Sequence, residues 1–336
     1  MTSQFEQRVV RAASQVCRSR NLRDSPALVA AVVQRGESNT PWRDTLLSDF
    51  ASANGIAMAS AIQIAEDVEG AARHRTPKSS KVQVVVVTAL ALEAAAVESY
   101  LHGLREQVHA ETGTIYRVGT LRENGTETIV AVVVAMEGNP SAAAETERAI
   151  SFFKPQVALF VGVAGGLKDD VQKGDVVVAS DVYDYSSAKE SSGVIRSRVK
   201  TLRASYRATQ RALALASSGE WSRLAATGAP PLRADDSPRV LVKPIAAGPK
   251  LVADSDGPTA QWIKQYCGDA VAVEMEGFGF HTAAHAYPAT QAIVVRGISD
   301  CVDDKAPDGD EQWQPIAASR AAAFGLALAA RVVSQT

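Results

Sequence analysis

"KVQVVVVTAL", residues 81–90, is the stretch of sequence that most directly indicates the fold. A nearly continuous β-branched run of this kind is typical of a strand buried on both faces. Six more strand candidates follow: ETIVAVVVAM (127–136), VALFVGVAGG (157–166), GDVVVASDVYDY (174–185), VLVKPIAAG (240–248), DAVAVEM (269–275) and QAIVVRGIS (291–299). Helical stretches separate several of them, beginning with LEAAAVESYLHGL (92–104) and ending with AASRAAAFGLALAARVV (317–333). Alternating buried strands and helices predict a three-layer α/β/α domain.

The residues before this domain have a different character. Four segments between Phe5 and about Ala72 carry apolar residues at three- and four-residue spacing, which predicts four short amphipathic helices. The segment "RHRTPKSS", 73–80, is polar and contains proline, as linkers often do. We therefore predict a helical adaptor or regulatory bundle over 1–72, a linker over 73–80 and a larger catalytic domain over 81–336.

Composition excludes several classes of function. With 336 residues, 46% of them apolar, and a net charge of −2, the chain has no general surface for nucleic acid or an anionic membrane. Its three cysteines lack CxxC spacing, and His281 and His285 lack the partners of a metal site. The N-terminus has no signal-peptide pattern, and no apolar segment approaches the roughly 20 residues that span a bilayer. We expect a cytoplasmic protein without a metal.

Charged residues recur where the predicted strands end. Glu93 follows the first strand, Glu274 and Glu276 follow "DAVAV", and Arg296 and Asp300 lie in "VVRGISD". Ligands of α/β domains bind at strand ends, so these side chains are predicted to converge. Residues two apart on a strand share a face, which would point both glutamates of "EME" into the site. Alternatively, the strand ends early and both glutamates are solvated in the first turn of a helix.

The glycine-rich turn "GVAGG" offers backbone N–H groups at a place where a ligand can come close. It matches neither the dinucleotide-binding pattern nor a P-loop. We therefore expect no cofactor.

Four motifs in order resemble the nucleoside phosphorylase superfamily. They are "VVVVTALALEAAAV", "LFVGVAGGLKDDVQKGDVVVASDVYDY", "AVEMEG" and "VVRGISD", and they are most similar to the branch of 5'-methylthioadenosine/S-adenosylhomocysteine nucleosidases. The resemblance covers residues 81 to the end. It implies a central mixed sheet, cleavage of an adenine N-glycosidic bond and a homodimer.

The resemblance also implies roles for single residues. Asp300 would protonate adenine at N7, and Glu276 would hold the ribose hydroxyls. Glu93, oriented by Arg296, would position and deprotonate the attacking water. The remaining predicted substrate contacts are Glu274, Met275, Ala164, Gly165, Gly166, Leu90, Leu251 and Ser299.

Two departures from the superfamily bear on the nucleophile. Phosphorylases hold phosphate with arginines after the first strand and with a hydroxyl in the third-strand loop. Here "TALALEAA" has no arginine, and Val163 stands in the place of the hydroxyl. Water is therefore favoured over phosphate. Because many nucleosidases carry that hydroxyl too, the assignment as a hydrolase depends chiefly on Glu93.

The 5' substituent of the substrate is left open by the sequence. Leu90 would suit the apolar 5' group of methylthioadenosine. Lys189, Arg196 and Arg198, in "YDYSSAKESSGVIRSRVK" (183–200), are either a solvated basic loop or contacts to the 5'-phosphates of AMP or ATP.

The N-terminal extension is similar, in size, helicity and position alone, to effector-associated domains of bacterial conflict systems. Such a domain implies a protein partner and a regulated, antiphage role. A catalytically silent nucleoside sensor and a phosphate-dependent phosphorylase are the alternatives to a nucleosidase. "DDKAPDGDEQWQ", 303–314, is predicted as an acidic mobile loop.

Overall fold

The computed structural model describes residues 4–23, 26–38, 42, 44–73, 81–123, 125–232, 236, 238–302 and 307–334. The chain divides into two compact units, Met1–Ser80 and Lys81–Thr336. Each unit has its own apolar core.

The described residues of the first unit form a helical bundle, as predicted. Its helices are α1 (Gln4–Ser19), α2 (Pro26–Ser38), α3 (Asp44–Asn54) and α4 (Met58–Arg73). Their apolar faces enclose a core in which Val9, Leu28, Leu47, Phe50 and Val68 are fully buried. The predicted linker begins at the last residue of α4, and its other residues, 74–80, lie outside the described part of the chain.

The second unit is built around a mixed sheet. Its strands are β1 (Val84–Thr88), β2 (Leu101–Val108), β3 (Ile115–Glu123), β4 (Thr126–Val134), β5 (Val157–Gly166), β6 (Val176–Asp184), β7 (Ala188–Ser191), β8 (Val194–Ser197), β9 (Lys200–Arg203), β10 (Val240–Ala247), β11 (Ala272–Glu274) and β12 (Gln291–Cys301). Its helices are α5 (Ala91–Glu98), α6 (Asn139–Phe153), α7 (Tyr206–Ser218), α8 (Ser222–Ala225), α9 (Pro258–Tyr266), α10 (Gly277–Ala284) and α11 (Pro307–Val333). The strand order is β11-β10-β6-β12-β5-β1-β4-β3-β2, and β9 also pairs with β6.

The valine run of β1 explains the layering. Side chains alternate across a strand, and Val84 and Val86 pack in the core shared with α5, α7, α8 and α11. Val85 and Val87 pack on the other face with α6 and α10. All four valines are fully buried. The predicted three-layer α/β/α architecture is confirmed.

The predicted helix over 92–104 is wrong in its second half. Helix α5 ends at Glu98, and β2 then pairs antiparallel with β3, a hairpin that was not predicted. Gly103 has a φ of +64°, at the point where the register of this pair shifts. Glycine adopts this conformation without steric cost, whereas a helix cannot contain it.

The region 183–200 is not the simple loop that was predicted. Strands β7 and β8 form an exposed hairpin, and β9 then returns to pair with β6. Ser192 and Gly193 have φ values of +54° and +74°. Two positive φ values in succession fit the two-residue turn that best matches strand twist.

The acidic segment 303–314 is also different from the prediction. Residues 303–306 lie outside the described part of the chain, and Pro307–Gln314 are helical, as the first turns of α11. Proline suits the first position of a helix, where its missing N–H removes no hydrogen bond.

Helix α11 corrects the expectation about apolar length. Gln312–Val333 is long and apolar enough in composition to cross a membrane, but 83% of its apolar window is buried inside the fold. Ala321, Phe324 and Leu328 are fully buried in the core that α11 shares with the sheet. The hydropathy of this helix is explained by that packing.

Candidate active site

Arg296, on β12, is the centre of a buried ionic cluster. Its Nη2 donates to Oε2 of Glu274 and to Oε2 of Glu276, the latter at 3.1 Å. Its Nη1 lies 3.9 Å from Oε1 of Glu93. Each of these side chains is at most 6% exposed. Three carboxylates against one guanidinium give the ionised cluster a formal charge of −2.

The two glutamates of "EME" reach Arg296 by a route that was not predicted. Strand β11 ends at Glu274, and Glu276 occupies the N-cap position of α10 with φ −127° and ψ −29°. The expectation that both extend from one strand face is therefore wrong. The solvated alternative is wrong too, since each glutamate is only 5% exposed. Because β11 runs antiparallel to β5, Glu274 points back toward the position of Arg296 on β12.

The carboxylate of Glu274 is saturated by the protein itself. Its Oε2 accepts N–H bonds from Glu276 (3.0 Å) and Gly277 (2.8 Å) as well as the Arg296 contact. Its Oε1 accepts a bond from Gly277 N–H at 2.9 Å. An ionised carboxylate has about four acceptor positions. Glu274 therefore fixes the start of α10 and the arginine.

Glu276 and Glu93 keep acceptor capacity. Glu276 Oε1 accepts from Gly138 N–H at 2.9 Å, and its Oε2 accepts from Arg296. Glu93 accepts three backbone N–H bonds: Oε2 from Ala89 and Leu90, both 2.9 Å, and Oε1 from Val163, 2.8 Å. Of about four acceptor positions on each carboxylate, two remain on Glu276 and one on Glu93.

Burial and charge act in opposite directions on the pKa values of this cluster. Burial raises the pKa of Glu93, against the lowering effect of Arg296 and of the three backbone N–H groups. Burial likewise raises the pKa of Glu274, against Arg296. For Arg296 itself, burial disfavours the cation, but Glu274, Glu276 and Glu93 together raise its pKa. The guanidinium is therefore held as a permanent charge beside Glu93 and Glu274, which protonate more readily than exposed glutamates do.

The space for Arg296 depends on its neighbours on β5. Gly162 pairs with Arg296, and any side-chain atom there would clash with Arg296 Nη1 and Glu93 Oε1. The guanidinium carbon lies 4.6 Å from the centre of the Phe160 ring, a cation–π distance. Phe160 in turn packs edge-on against Phe280 of α10, with ring centres 5.7 Å apart.

Asp300 lies at the end of β12, four residues beyond Arg296. It is 4% exposed, and its Oδ1 accepts a hydrogen bond from Ser299 Oγ at 3.0 Å. Asp300 pairs with Gly165 after a register shift, and the α-carbon of Gly165 faces its carboxylate. The structure therefore brings the predicted acid to the predicted glycine loop.

The other predicted contacts are distributed more widely. Ala164 and Gly166 are buried on β5, and Leu90 and Met275 are half-buried beside Glu93 and Glu276 in the chain. Leu251 is 68% exposed after β10. Lys189, Arg196 and Arg198 are exposed, with Lys189 directly opposite Arg196 in the β7–β8 hairpin.

Sequence reasoning missed the segment after β4. Gly138 has a φ of +95° and donates its N–H to Glu276, and the Asn139 side chain accepts the N–H of Gly279 at 2.7 Å. "GNP" at residues 138–140 is a turn signal. It could have placed a turn here, although not its contact with α10.

His281 gives a prediction about acid stability. It lies on α10 with 4% exposure, its Nε2 has no hydrogen-bond partner among the described residues, and burial lowers its pKa to about 4. Between pH 6.5 and 4 the unfolded chain takes up a proton that the folded chain does not. This residue should therefore lower the free energy of unfolding by about 3 kcal/mol across that range.

Denaturant unfolding of wild type and His281→Leu between pH 7.5 and 4 measures this effect. The variant should lose less stability on acidification. His285→Leu, an exposed residue one turn further along, is the matched control and should follow wild type. Parallel curves for His281→Leu and wild type would contradict the prediction.

The sequence profile described as "Phosphorylase superfamily" matches residues 83–330 of this chain. The chain belongs to the phosphorylase superfamily. The match covers the sheet, its helices as far as residue 330 and every residue of the Arg296 cluster.

Two curated relatives are named as 5'-methylthioadenosine/S-adenosylhomocysteine nucleosidases. That of Marinomonas sp. (strain MWYL1) is 25% identical over 233 residues, covering 69% of this chain and 92% of the relative. That of Actinobacillus succinogenes is 26% identical over 195 residues, covering 58% and 78%.

Solved structures of nucleosidases share the fold of the second unit. The nucleosidase of Neisseria meningitidis, in complex with methylthio-immucillin-A, superposes with a TM-score of 0.59 at 20% identity, covering 76% of this chain and all of that one. The nucleosidase of Colwellia psychrerythraea 34H, in complex with adenine, gives a TM-score of 0.60 at 20% identity, covering 75% and 96%.

Proposed function

We propose that this protein is a nucleosidase that hydrolyses the N-glycosidic bond of adenine nucleosides or nucleotides, releasing adenine and the ribosyl product. The observation that carries the proposal is the buried cluster of three carboxylates on Arg296, with Asp300 further along the same strand. Relatives that are named as nucleosidases of adenine nucleosides support it.

The chemistry needs charge stabilisation at the sugar. Cleavage of the glycosidic bond develops positive charge on the ribose, and a preorganised anionic site stabilises such charge. When all three carboxylates are ionised the cluster has a formal charge of −2, and it is shielded from water. Glu276 has two acceptor positions left, which matches the two hydroxyls of a ribose diol.

The leaving group and the nucleophile need proton transfer. Asp300 is proposed to protonate the base at N7, since a neutral adenine is a better leaving group than its anion. Glu93 is proposed to hold and deprotonate a water molecule with its remaining acceptor position. Its raised pKa makes it a stronger base than an exposed glutamate.

Water is the proposed nucleophile because the segment after β1 suits no phosphate. The N–H groups of Ala89 and Leu90, which an anion could otherwise use, both donate to Glu93. The N–H of Val163 is engaged in the same way. Phosphate at this place would displace these bonds and meet a carboxylate.

The 5' group is proposed to be either the thioether of methylthioadenosine and S-adenosylhomocysteine or the phosphates of AMP and ATP. Half-buried Leu90 favours the thioether. The facing cations Lys189 and Arg196 favour phosphates, because like charges directly opposite in a hairpin repel unless an anion lies between them.

A substrate panel tests the proposed function. Methylthioadenosine, S-adenosylhomocysteine, adenosine, AMP and ATP are incubated with the protein with and without phosphate, and bases and sugars are separated by chromatography. We expect phosphate-independent release of adenine from at least one of them. Accumulation of ribose 1-phosphate would indicate a phosphorylase, and binding without release would indicate a sensor.

Glu93→Gln should lower this release by a hundredfold or more, because the amide cannot accept the proton of water. Glu98→Gln, at the end of the same helix, is the matched control and should retain activity. Full activity of Glu93→Gln would remove Glu93 from the mechanism.

The proposal extends to assembly and regulation. The compact helical bundle of the first unit, with a core of its own, is proposed as an adaptor that recruits a protein partner in bacterial antiphage defence. The enzyme is further proposed to be a cytoplasmic homodimer, as the resemblance to the nucleosidases implies.

A further inference from the structure

The two central strands of the site present its features in the same order. Along β12, Arg296 comes first, Asp300 follows four residues further on, and Cys301 ends the strand. Along β5, which is parallel to β12, Gly162 lies against Arg296, Gly165 against Asp300 and Gly166 against Cys301. The site therefore runs from the carboxylate cluster to the acid and then to the strand ends.

A cavity of about 470 Å³ lies at those strand ends. Gly166, Cys301 and Val302 line it, together with the loop after β5 and one side of α9. Of the predicted substrate contacts on these two strands, Gly166 lines it, whereas Ala164, Gly165 and Asp300 do not. The cavity thus begins at the Gly166–Cys301 pair, one residue beyond the pair of Gly165 and Asp300.

The covalent structure of a purine nucleoside sets what can reach this cavity. Ribose is attached at N9, and the exocyclic 6-substituent lies at the opposite end of the base, next to N7. With ribose at the carboxylate cluster and N7 at Asp300, the 6-substituent would extend beyond Asp300 toward the end of β12, where Cys301 and Val302 line the cavity. The order of ribose, N7 and 6-substituent in the nucleoside therefore matches the order of carboxylate cluster, Asp300 and cavity along the strands.

We propose that this cavity receives a substituent on the exocyclic N6 of adenine, so that the enzyme takes N6-alkyl and N6-arylalkyl adenine nucleosides. The inference rests on the proposed function, because it uses the same placement of ribose and base. It adds nucleosides with a substituted N6 to the unsubstituted adenine nucleosides of the proposed function.

The walls of the cavity suit an apolar group. Val171, Ala260, Ile263, Ala270 and Val302 are each at most 7% exposed. A cavity of about 150 Å³ lined by apolar side chains holds benzene, so the volume here is ample for a benzyl group. The charged residues Lys168, Asp169, Asp256 and Lys264 line it as well, so a polar end of the substituent would also find partners there.

Two measurements test the inference. The first is the ratio of kcat/KM for the N6-benzyl form of the preferred nucleoside to kcat/KM for the unsubstituted form. The second is calorimetric binding of N6-benzyladenine and adenine, which needs no turnover. In wild type we expect a ratio of at least one and tighter binding of N6-benzyladenine.

Filling the cavity with a phenylalanine side chain should lower both the ratio of kcat/KM values and the relative affinity for N6-benzyladenine. Ala260→Phe fills it from a buried position, and Lys264→Phe does so from an exposed position that leaves the core intact. Each should lower the ratio, and the relative affinity for N6-benzyladenine, at least tenfold. Gln265→Phe, an exposed residue of α9 outside the cavity wall, is the matched control and should behave as wild type.

The outcomes separate this inference from the proposed function. Cleavage of the unsubstituted nucleoside with rejection of its N6-benzyl form overturns the inference and leaves the function intact. Cavity-dependent binding of N6-benzyladenine without turnover of any nucleoside supports the cavity assignment and overturns the function. If N6-benzyladenine binds tightly and neither Ala260→Phe nor Lys264→Phe weakens its binding, the assignment of the cavity to the N6 substituent is overturned.

Discussion

Adenine release by Asp300→Asn is expected to be about a thousandfold slower than by wild type, with little change in stability. A general acid contributes about 10²- to 10⁴-fold, and an amide has no proton to give. The asparagine oxygen can still accept the hydrogen bond from Ser299 Oγ, and the side chain keeps its size. Single-turnover chromatography of free adenine measures the rate, and thermal unfolding checks the fold.

Asp181→Asn is the matched control for this variant. Asp181 lies on the neighbouring strand β6 in an ion pair with the exposed Arg203, at 3.2 Å. The same chemical change there should leave the rate within about twofold, because surface ion pairs contribute little. A folded Asp300→Asn enzyme with the rate of wild type would remove Asp300 from the role of acid.

Arg296→Met is expected to lower the free energy of unfolding by about 3–5 kcal/mol and to abolish adenine release. Removing one partner of a buried ion pair leaves uncompensated buried charge, which is costly. Here Glu93, Glu274 and Glu276 would face each other with no cation among them. Denaturant unfolding at pH 7.5 measures the loss.

The pH dependence distinguishes this mechanism from a simple packing defect. Without the arginine, the buried carboxylates take up protons as the pH falls. The difference in the free energy of unfolding between Arg296→Met and wild type should therefore shrink between pH 7.5 and 5. Arg203→Met, which breaks an exposed pair, should cost less than about 1 kcal/mol. An Arg296→Met loss that is the same at both pH values would contradict the charge argument.

Local sequence patterns predicted the parts of the fold that depend on local periodicity. The valines of β1, the helices of the first unit and the strands β5 and β12 follow from it directly. The β2–β3 hairpin could not be found this way, because Leu101–Leu104 continues the helical spacing of α5 and only the positive φ of Gly103 breaks it. The β7–β8 hairpin is exposed and has no apolar alternation to mark it.

In the candidate site, too, sequence patterns predicted some features and missed others. Residue types, together with positions at the ends of predicted strands, were enough to single out Glu93, Glu274, Glu276, Arg296 and Asp300. Which carboxylate retains acceptor capacity depends on backbone N–H groups from distant segments, such as Gly138 and Val163. Contacts of this kind are set by tertiary packing and have no signature in a single sequence.

The Arg296 cluster also affects when the second unit can fold during its synthesis. Its carboxylates come from the beginning of the second unit and from the segment just before β12, whereas their cation lies on β12, the last strand. During synthesis Glu93 leaves the ribosome long before Arg296 does. Until then its carboxylate must stay hydrated, since burial without a cation is costly. The sheet can therefore close around this cluster only after β12 has been synthesised, which makes its folding a concerted event that waits for distant segments of the second unit.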